Sequence, residues 1–123
     1  MKGQDLGGLD VSDLVERFVD ICIEQSKALF DDDVKRFNDL YDQMAAIDEQ
    51  LKSRSGDQRQ ALLTLLNHRD LQVRLQAAKA TLAVAPLEAR RTIEAIADSR
   101  RNPQAGDAGM CLWAIDEGIF KPE

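Results

Sequence analysis

Apolar residues recur every three or four positions along most of the chain, which is the spacing of one face of an α-helix. The pattern predicts six helices, separated by short breaks rich in Gly, Pro, Ser and Asp. Because no stretch alternates apolar and polar residues with period two, we expect no β-sheet. Residues 1–9 are rich in glycine, and we expect a disordered tail there.

The first two predicted helices are the longest. A cap at Asp10 or Ser12 should start the first helix, which should end near Phe30. Its apolar face carries Val11, Leu14, Val15, Phe18, Cys22 and Leu29. The second helix follows three consecutive acids, residues 31–33, and its apolar stripe carries Val34, Phe37, Leu40, Tyr41, Met44, Ile47 and Leu51. We interpret the acids as a helix cap, because a calcium loop places its acids at alternate positions.

Four shorter helices should follow a break at residues 53–56 and a loop at residues 99–106. We expect starts near Asp57, Asp70, Pro86 and Asp107, and a stop at Gly118. The apolar positions of the third and fourth helices are Leu62, Leu63, Leu65, Leu66, Val73, Ala77, Ala78 and Leu82. Those of the fifth and sixth are Ala89, Ile93, Ile96, Ala97, Ala108, Cys111, Leu112 and Ile115.

The letters H-R-D-L at residues 68–71 also open the catalytic loop of protein kinases. That motif continues to an Asn, and its position here is Leu75. The Gly-rich loop, the V-A-I-K lysine and the D-F-G motif are absent as well. We therefore exclude a kinase and interpret the segment as a turn between two helices, with Asp70 as the cap of the second.

Residues 59–85 resemble a HEAT repeat. The matching letters are L-L-x-L-L, a turn that ends in Asp70, and V-R-x-x-A-A-x-x-L. A shift of 30 residues pairs five apolar positions with residues 93–115, so the resemblance continues more weakly over 86–117. It implies an all-α fold of three antiparallel hairpins, stacked as a short right-handed superhelix. By position in that family, Arg74 should face an acidic or carbonyl group along the stack.

The whole chain also resembles a small bacterial family of HEAT-like proteins that has no established activity. The segments that carry this resemblance are R-F-V-D-I-C-I-E-Q, N-D-L-Y-D-Q-M, H-R-D-L-Q-V-R-L-Q-A-A and G-I-F-K-P. The resemblance implies a fold and a bacterial source, and it implies no reaction.

The length and the net charge of the chain limit the functions that it can have. A chain of 123 residues fits one domain, and we expect a single HEAT-like domain over residues 1–123. The net charge is −6, which opposes non-specific binding to nucleic acid. Residues 1–50 carry 13 acids and 5 bases, whereas residues 51–107 carry 6 acids and 10 bases. This asymmetry would suit an acidic partner or a second copy of the chain.

Few residues offer catalytic chemistry. The candidates are His68, Cys22 and Cys111, and no metalloprotease, nucleophile-elbow, redox or P-loop motif accompanies them. We expect two reduced, packed thiols, no enzyme activity and no cofactor. No apolar run is long enough for a membrane helix, and the N-terminus lacks a secretory signal, so we expect a cytoplasmic protein.

We therefore expect a protein-binding module, with a regulatory or toxin-neutralising role among the possibilities. Helical repeats usually serve this purpose. The candidate interaction residues are His68, Arg69, Arg74 and Trp113. A homodimer, an enzyme with an unrecognised site and a nucleic-acid-binding domain remain open alternatives. The last would use Arg54, Arg59, Arg69, Arg74, Lys79, Arg90, Arg91, Arg100 and Arg101.

Overall fold

The computed structural model describes residues 6–123, and this part of the chain is all-α, with no β-strand. The five α-helices are α1 (Val11–Phe30), α2 (Val34–Ser53), α3 (Leu71–Thr81), α4 (Pro86–Asp98) and α5 (Gln104–Asp116). Two 3-10 segments cover Leu6–Gly8 and Gln58–Asn67. The all-α prediction is confirmed. Two compact units divide the chain, one that runs to Ala61 and one over Leu62–Glu123.

The predicted tail over residues 1–9 lies partly outside the described residues. Within the described part, Leu6–Gly8 form one 3-10 turn. The guanidinium of Arg54 donates to the carbonyl oxygen of Leu6 at 3.1 Å, which ties this turn to the end of α2. The turn therefore belongs to the first unit.

An antiparallel pair of helices, α1 and α2, forms the first unit. Asp10 caps α1 by accepting from the amide of Asp13 at 2.8 Å, as the sequence predicts. Asp33 caps α2 by accepting from the amide of Arg36 at 3.1 Å. The carboxylates of both caps satisfy amides that have no partner within the helix.

The predicted apolar stripes supply most of the buried side chains of these two helices. Those of α1 are Leu14, Phe18, Cys22, Gln25 and Ala28, and those of α2 are Leu40, Met44, Ile47 and Leu51. The sulfur of Met44 lies 3.9 Å from both the Cys22 sulfur and the Gln25 amide nitrogen. Val34 is 68% exposed, so its predicted place in the stripe is wrong. It lies in the first turn of α2, next to the exposed loop that joins the helices.

Helices α3, α4 and α5 form the second unit, in which α4 packs against both of its neighbours. Their shared core contains Leu71, Leu75, Ala78, Leu82, Ala89, Ile93, Ile96 and Ala108. Each helix contributes one fully buried alanine to this core: Ala78, Ala89 and Ala108. Small side chains at a contact shorten the distance between helix axes. The predicted cap and first-turn residue, Asp70 and Pro86, are both confirmed.

The third predicted helix is a ten-residue 3-10 helix rather than an α-helix. A 3-10 helix places every third residue on one face. Arg59, Leu62 and Leu65 follow that spacing, and all three are buried. Asp57 precedes them with a φ of 52°, and its carboxylate accepts from both the amide and the guanidinium of Arg59. Because every third residue is buried, the segment fits the geometry of a 3-10 helix better than that of an α-helix.

The sixth predicted helix begins earlier than expected. The loop ends at Pro103, after a cis peptide bond, and α5 starts at Gln104. The prediction that Asp107 caps this helix is wrong, because Asp107 lies inside its first turn and binds Lys79 at 2.6 Å. The side-chain oxygen of Asn102 accepts from the amide of Gly106 at 3.1 Å. Gly118, with a φ of 74°, follows the end of α5 as predicted.

Asp48 on α2 is a partly buried carboxylate, and its Oδ1 is enclosed without a hydrogen-bond donor among the described residues. Desolvation raises the pKa of Asp48, and the positive charge of Arg59 opposes that rise only in part. A carboxyl group with a raised folded-state pKa binds its proton more tightly in the folded chain than in the unfolded one. Its contribution is therefore most favourable at low pH and is lost as the pH rises through the folded pKa.

We expect Asp48→Asn to stabilise the protein at neutral pH, because the amide has the same shape and carries no charge to desolvate. The gain should be about 1 kcal/mol, the lower end of the cost of an unsatisfied buried group, or ~4 °C in melting temperature. Thermal melts from pH 4 to pH 8 measure it. The gain should shrink as the pH falls, because wild-type Asp48 then takes up its proton and loses the charge that is costly to bury. The exposed variant Asp42→Asn serves as the control. Equal stability of wild type and Asp48→Asn at pH 7 would contradict the account.

Candidate functional site

The four residues predicted to bind a partner all lie in the second unit. The Nδ1 atom of His68 accepts from the amide of Asp70 at 3.0 Å, so this half-buried imidazole supports the turn before α3. Arg69 is exposed at the same turn. Trp113 lies on α5 and is 52% exposed. Arg74 lines a groove that the other three do not line.

The groove lies where α3, α4 and the loop after α4 meet, and its open volume is about 400 Å³. Three arginines line it: Arg74 from α3, Arg91 from α4 and Arg101 from the loop. We call this feature the arginine groove. Its apolar walls are Leu66, Leu71, Ala95 and Ile96. Asn67, Thr92 and Ser99 are its uncharged polar residues, and no acid is among the residues that line it.

The three arginines of the groove form no side-chain hydrogen bond or ion pair with any described residue. Several other arginines do, namely Arg36, Arg54, Arg59 and Arg90, although exposed Arg69 and Arg100 do not. Arg90, adjacent to Arg91, binds Asp116 through two contacts of 2.9 and 3.1 Å and also reaches Glu94. Arg59 binds Asp57 at 2.7 Å. Because like charges in one groove repel each other, an unpaired set of arginines is electrostatically unfavourable without a ligand.

Arg74 carries the clearest sign of an unmet interaction. Its Nε atom is enclosed and has no hydrogen-bond acceptor among residues 6–123. Such a buried, unsatisfied donor typically costs about 1–3 kcal/mol. The expectation that Arg74 faces an acidic or carbonyl partner is therefore wrong for the described part of the chain. An acceptor from outside the chain could reach this donor only after the Arg74 side chain turned toward the groove.

The loop after α4 sets the position of Arg101. The hydroxyl of Ser99 donates to the carbonyl oxygen of Ile96 at 2.6 Å and accepts from the amide of Arg101 at 3.2 Å. Arg100 lies between them in the left-handed region, with a φ of 61°. Arg100 is exposed and does not line the groove, whereas Arg101 does.

The prediction of interaction residues from the sequence included Arg74 but omitted Arg91 and Arg101. The antiparallel pairing of α3 and α4 could have indicated Arg91. In an antiparallel hairpin, the start of α3 lies beside the end of α4, and Arg91 and Ala95 share one face of α4. Arg101 has no such signal, because its place depends on the fold of the loop around Ser99.

A second, wider groove lies in the first unit and has a volume of about 1160 Å³. Its charged lining is mostly acidic: Asp13, Glu16, Asp20, Asp42 and a single base, Arg17. These carboxylates are exposed on the helix surface. A solvated acidic face of this kind is common on helices, so we regard the arginine groove as the candidate site.

The two cysteines lie outside the arginine groove. Cys22 is buried, and Cys111 is half-buried in a setting that raises the pKa of its thiol by desolvation. A thiol with a raised pKa is a poor nucleophile at neutral pH. Among the described residues, no three His, Cys, Asp or Glu side chains form a group that could hold a metal ion. The helices in that part of the chain are too short or too polar to cross a membrane.

We expect Arg74→Met to leave the folded chain at least as stable as wild type, with a gain of up to about 1 kcal/mol. Methionine keeps most of the aliphatic stem and removes the unsatisfied donor. Arg59→Met is the matched control, and it should destabilise because it removes the partner of Asp57. Urea unfolding of the three proteins measures both changes. A loss of more than about 2 kcal/mol in Arg74→Met, the range for a broken structural network, would show that Arg74 has a structural role.

Comparison with known proteins gives a family and a solved structure. The family model described as "Domain of unknown function (DUF2019)" matches residues 12–116. The chain is also similar to the protein RPA1889 from Rhodopseudomonas palustris, whose crystal structure is known. The two sequences are 52% identical over 98% of this chain and 100% of that one, and the structures superpose with a TM-score of 0.94. No curated protein matches the chain.

The match to the family model extends from the first turn of α1 to the end of α5 and includes the residues that line the arginine groove. The chain therefore belongs to the DUF2019 family.

Proposed function

We propose that this chain is a non-enzymatic protein-binding module and that an acidic segment of its partner lies in the arginine groove. The proposal retains the HEAT-like interpretation of residues 59–85, since helical repeats commonly bind partners. A regulatory or toxin-neutralising role would follow from the identity of the partner.

One observation carries the proposal: three arginines line one groove, and none has an acidic partner among the described residues. Arginine binds carboxylates through two parallel hydrogen bonds, which gives both affinity and orientation. A carboxylate in the groove would neutralise part of the repulsion between the guanidinium groups. Binding would also satisfy the enclosed Nε of Arg74.

The apolar walls indicate what accompanies the acids. Leu66, Leu71 and Ile96 line the groove beside the arginines. Their apolar surface favours a segment that alternates anionic and apolar side chains, because such a segment can cover the walls while its anionic groups reach the guanidinium groups. Trp113 and Met110, 52% and 63% exposed, lie one turn apart on α5 and supply a second candidate contact.

The side chains of the groove also support a non-enzymatic function. The hydroxyl of Thr92 donates to the carbonyl oxygen of Glu88 at 3.0 Å, and that of Ser99 donates to Ile96. Neither hydroxyl has a histidine or carboxylate base as its hydrogen-bond partner, as an activated nucleophile requires. His68 does not line the groove. A net charge of −6 for the whole chain disfavours nucleic acid as the ligand.

Affinity capture tests the proposal with variants that reverse the charge of the groove. Tagged wild type, Arg91→Glu/Arg101→Glu and Lys121→Glu are exposed to a lysate of the organism that makes the protein. Lys121 is exposed and distant in sequence from the groove residues, so its reversal controls for general charge effects. We expect one protein to be retained by wild type and by Lys121→Glu and to be lost by the double variant.

The retained protein is then purified, and its affinity for each variant is measured by calorimetry. Loss of two groove arginines should weaken binding at least about 100-fold, equivalent to ~2.8 kcal/mol. Circular dichroism melts confirm that the variants are folded. A partner that binds wild type and the double variant equally, or the absence of any partner, would contradict the proposal.

A further inference from the structure

We infer that the anionic group recognised at Arg74 is a phosphate monoester rather than a carboxylate. This inference rests on the proposed function, because it concerns the same groove. The phosphate could belong to a phosphorylated side chain of the protein partner or to a free phosphorylated small molecule, and the experiment below separates these two sources.

The first argument is the amount of charge. Three guanidinium groups line the arginine groove, and arginine stays protonated at all physiological pH values. A carboxylate carries one negative charge and two oxygens, so it can neutralise only one of them. A phosphate monoester carries a charge of about −1.5 to −2 at neutral pH and three terminal oxygens. It can therefore accept from several arginines at once.

The second argument is the state of the Arg74 side chain. Its Nε is enclosed and already lacks an acceptor, so the cost of removing this N–H from water has been met during folding. Because Nε has no exposed surface in the free chain, the guanidinium must turn toward the groove to bind a ligand oxygen. The hydrogen bond formed then gains more than one at an exposed arginine, which gives up its water when it binds. Nε and one terminal nitrogen form a planar fork that matches two oxygens of a phosphate.

The third argument is the surroundings of the charges. Leu71 and Ile96 are buried core residues that also form the walls of the groove. Arg91 and Arg101 are exposed, but Arg74 is half-buried, and the apolar walls beside it strengthen an ion pair relative to one at an open surface. The hydroxyls of Thr92 and Ser99 already donate their protons to backbone carbonyl oxygens. The guanidinium groups are therefore the donors that bind the anion.

Several acids lie near the arginines in sequence. Asp70, four residues before Arg74, caps α3, and Glu94 on α4 is held by Arg90. Glu88 lies one turn before Arg91 and Asp98 two turns after it on the same side of α4, and neither lines the groove. Asp98 should therefore repel a phosphate weakly, and Asp98→Asn should tighten phosphate binding about twofold to fivefold, consistent with a solvent-screened charge interaction.

Calorimetry at constant ionic strength tests the inference with the full chain and three probes. These are a peptide Leu-Leu-pSer-Leu-Leu, the same peptide with Glu in place of phosphoserine, and inorganic phosphate. The variants are Arg74→Lys, which keeps the charge but loses the planar fork, and Arg100→Lys, a matched change in an arginine outside the groove. Circular dichroism melts establish that both are folded.

We expect the phosphopeptide to bind at least about tenfold more tightly than the Glu peptide, a difference of ~1.4 kcal/mol. Arg74→Lys should remove that preference, whereas Arg100→Lys should keep it. If inorganic phosphate binds as tightly as the phosphopeptide, with the same dependence on Arg74, the phosphate inference is supported with a free small molecule as its source. That result, with no captured protein, would reject the proposed protein-binding function alone.

Two results would overturn the phosphate inference and leave protein binding intact. One is equal affinity for the phosphopeptide and the Glu peptide, because a carboxylate would then suffice. The other is a captured protein that depends on Arg91 and Arg101 while none of the phosphate probes binds. A preference for the phosphopeptide that is unchanged in Arg74→Lys would also overturn the phosphate inference. The planar fork of the Arg74 guanidinium would then not contribute to phosphate binding.

Discussion

The burial of α3 on almost every side is the constraint on which the second unit depends. Eight of its eleven residues are buried, among them polar Gln72, Gln76 and Thr81. A polar side chain on a buried helix must find a partner or reach an opening, because an unpaired polar group is costly away from water. The hydroxyl of Thr81 donates to a backbone carbonyl of its own helix, and Gln72 accepts from Gln104 at 3.1 Å. Arg74 instead reaches the opening that becomes the candidate site.

An arginine in this position lowers the stability of the free chain and strengthens the binding of a ligand. A residue with an enclosed donor and no partner lowers the stability of the free chain, whereas the same residue gains a strong interaction when a ligand supplies the acceptor. Natural proteins commonly accept such costs at binding sites. Arg90 gives the comparison within the chain, because it forms ion pairs with Asp116 and Glu94. Its hydrogen bonds to Asp116 lower the pKa of that carboxyl group. Arg90 is thus ion-paired within the fold, whereas its neighbour Arg91 lines the groove.

The sequence predicts the helices well where local chemistry alone decides them. Asp10, Asp33 and Asp70 cap helices because a short carboxylate can reach an amide three residues ahead, whatever the tertiary structure. The third predicted helix is present, but it has 3-10 geometry. Its apolar letters fit both an α-helix and a 3-10 helix, and burial at Arg59, Leu62 and Leu65 distinguishes the two. The groove depends on long-range packing, so Arg101 could not be placed from sequence, whereas the H-R-D-L turn could be interpreted correctly as a helix start.

The most direct test of the account is an NMR measurement of the arginine Nε–H groups in the full chain. The Arg74 signal is assigned by its loss in Arg74→Lys, and its shift and exchange with water are followed as inorganic phosphate is added at constant ionic strength. The account predicts that this signal moves on addition, while the signal of ion-paired Arg90 stays in place. An Arg74 signal that does not move when phosphate is added would contradict the account, because Arg74 would then have no part in binding the anion.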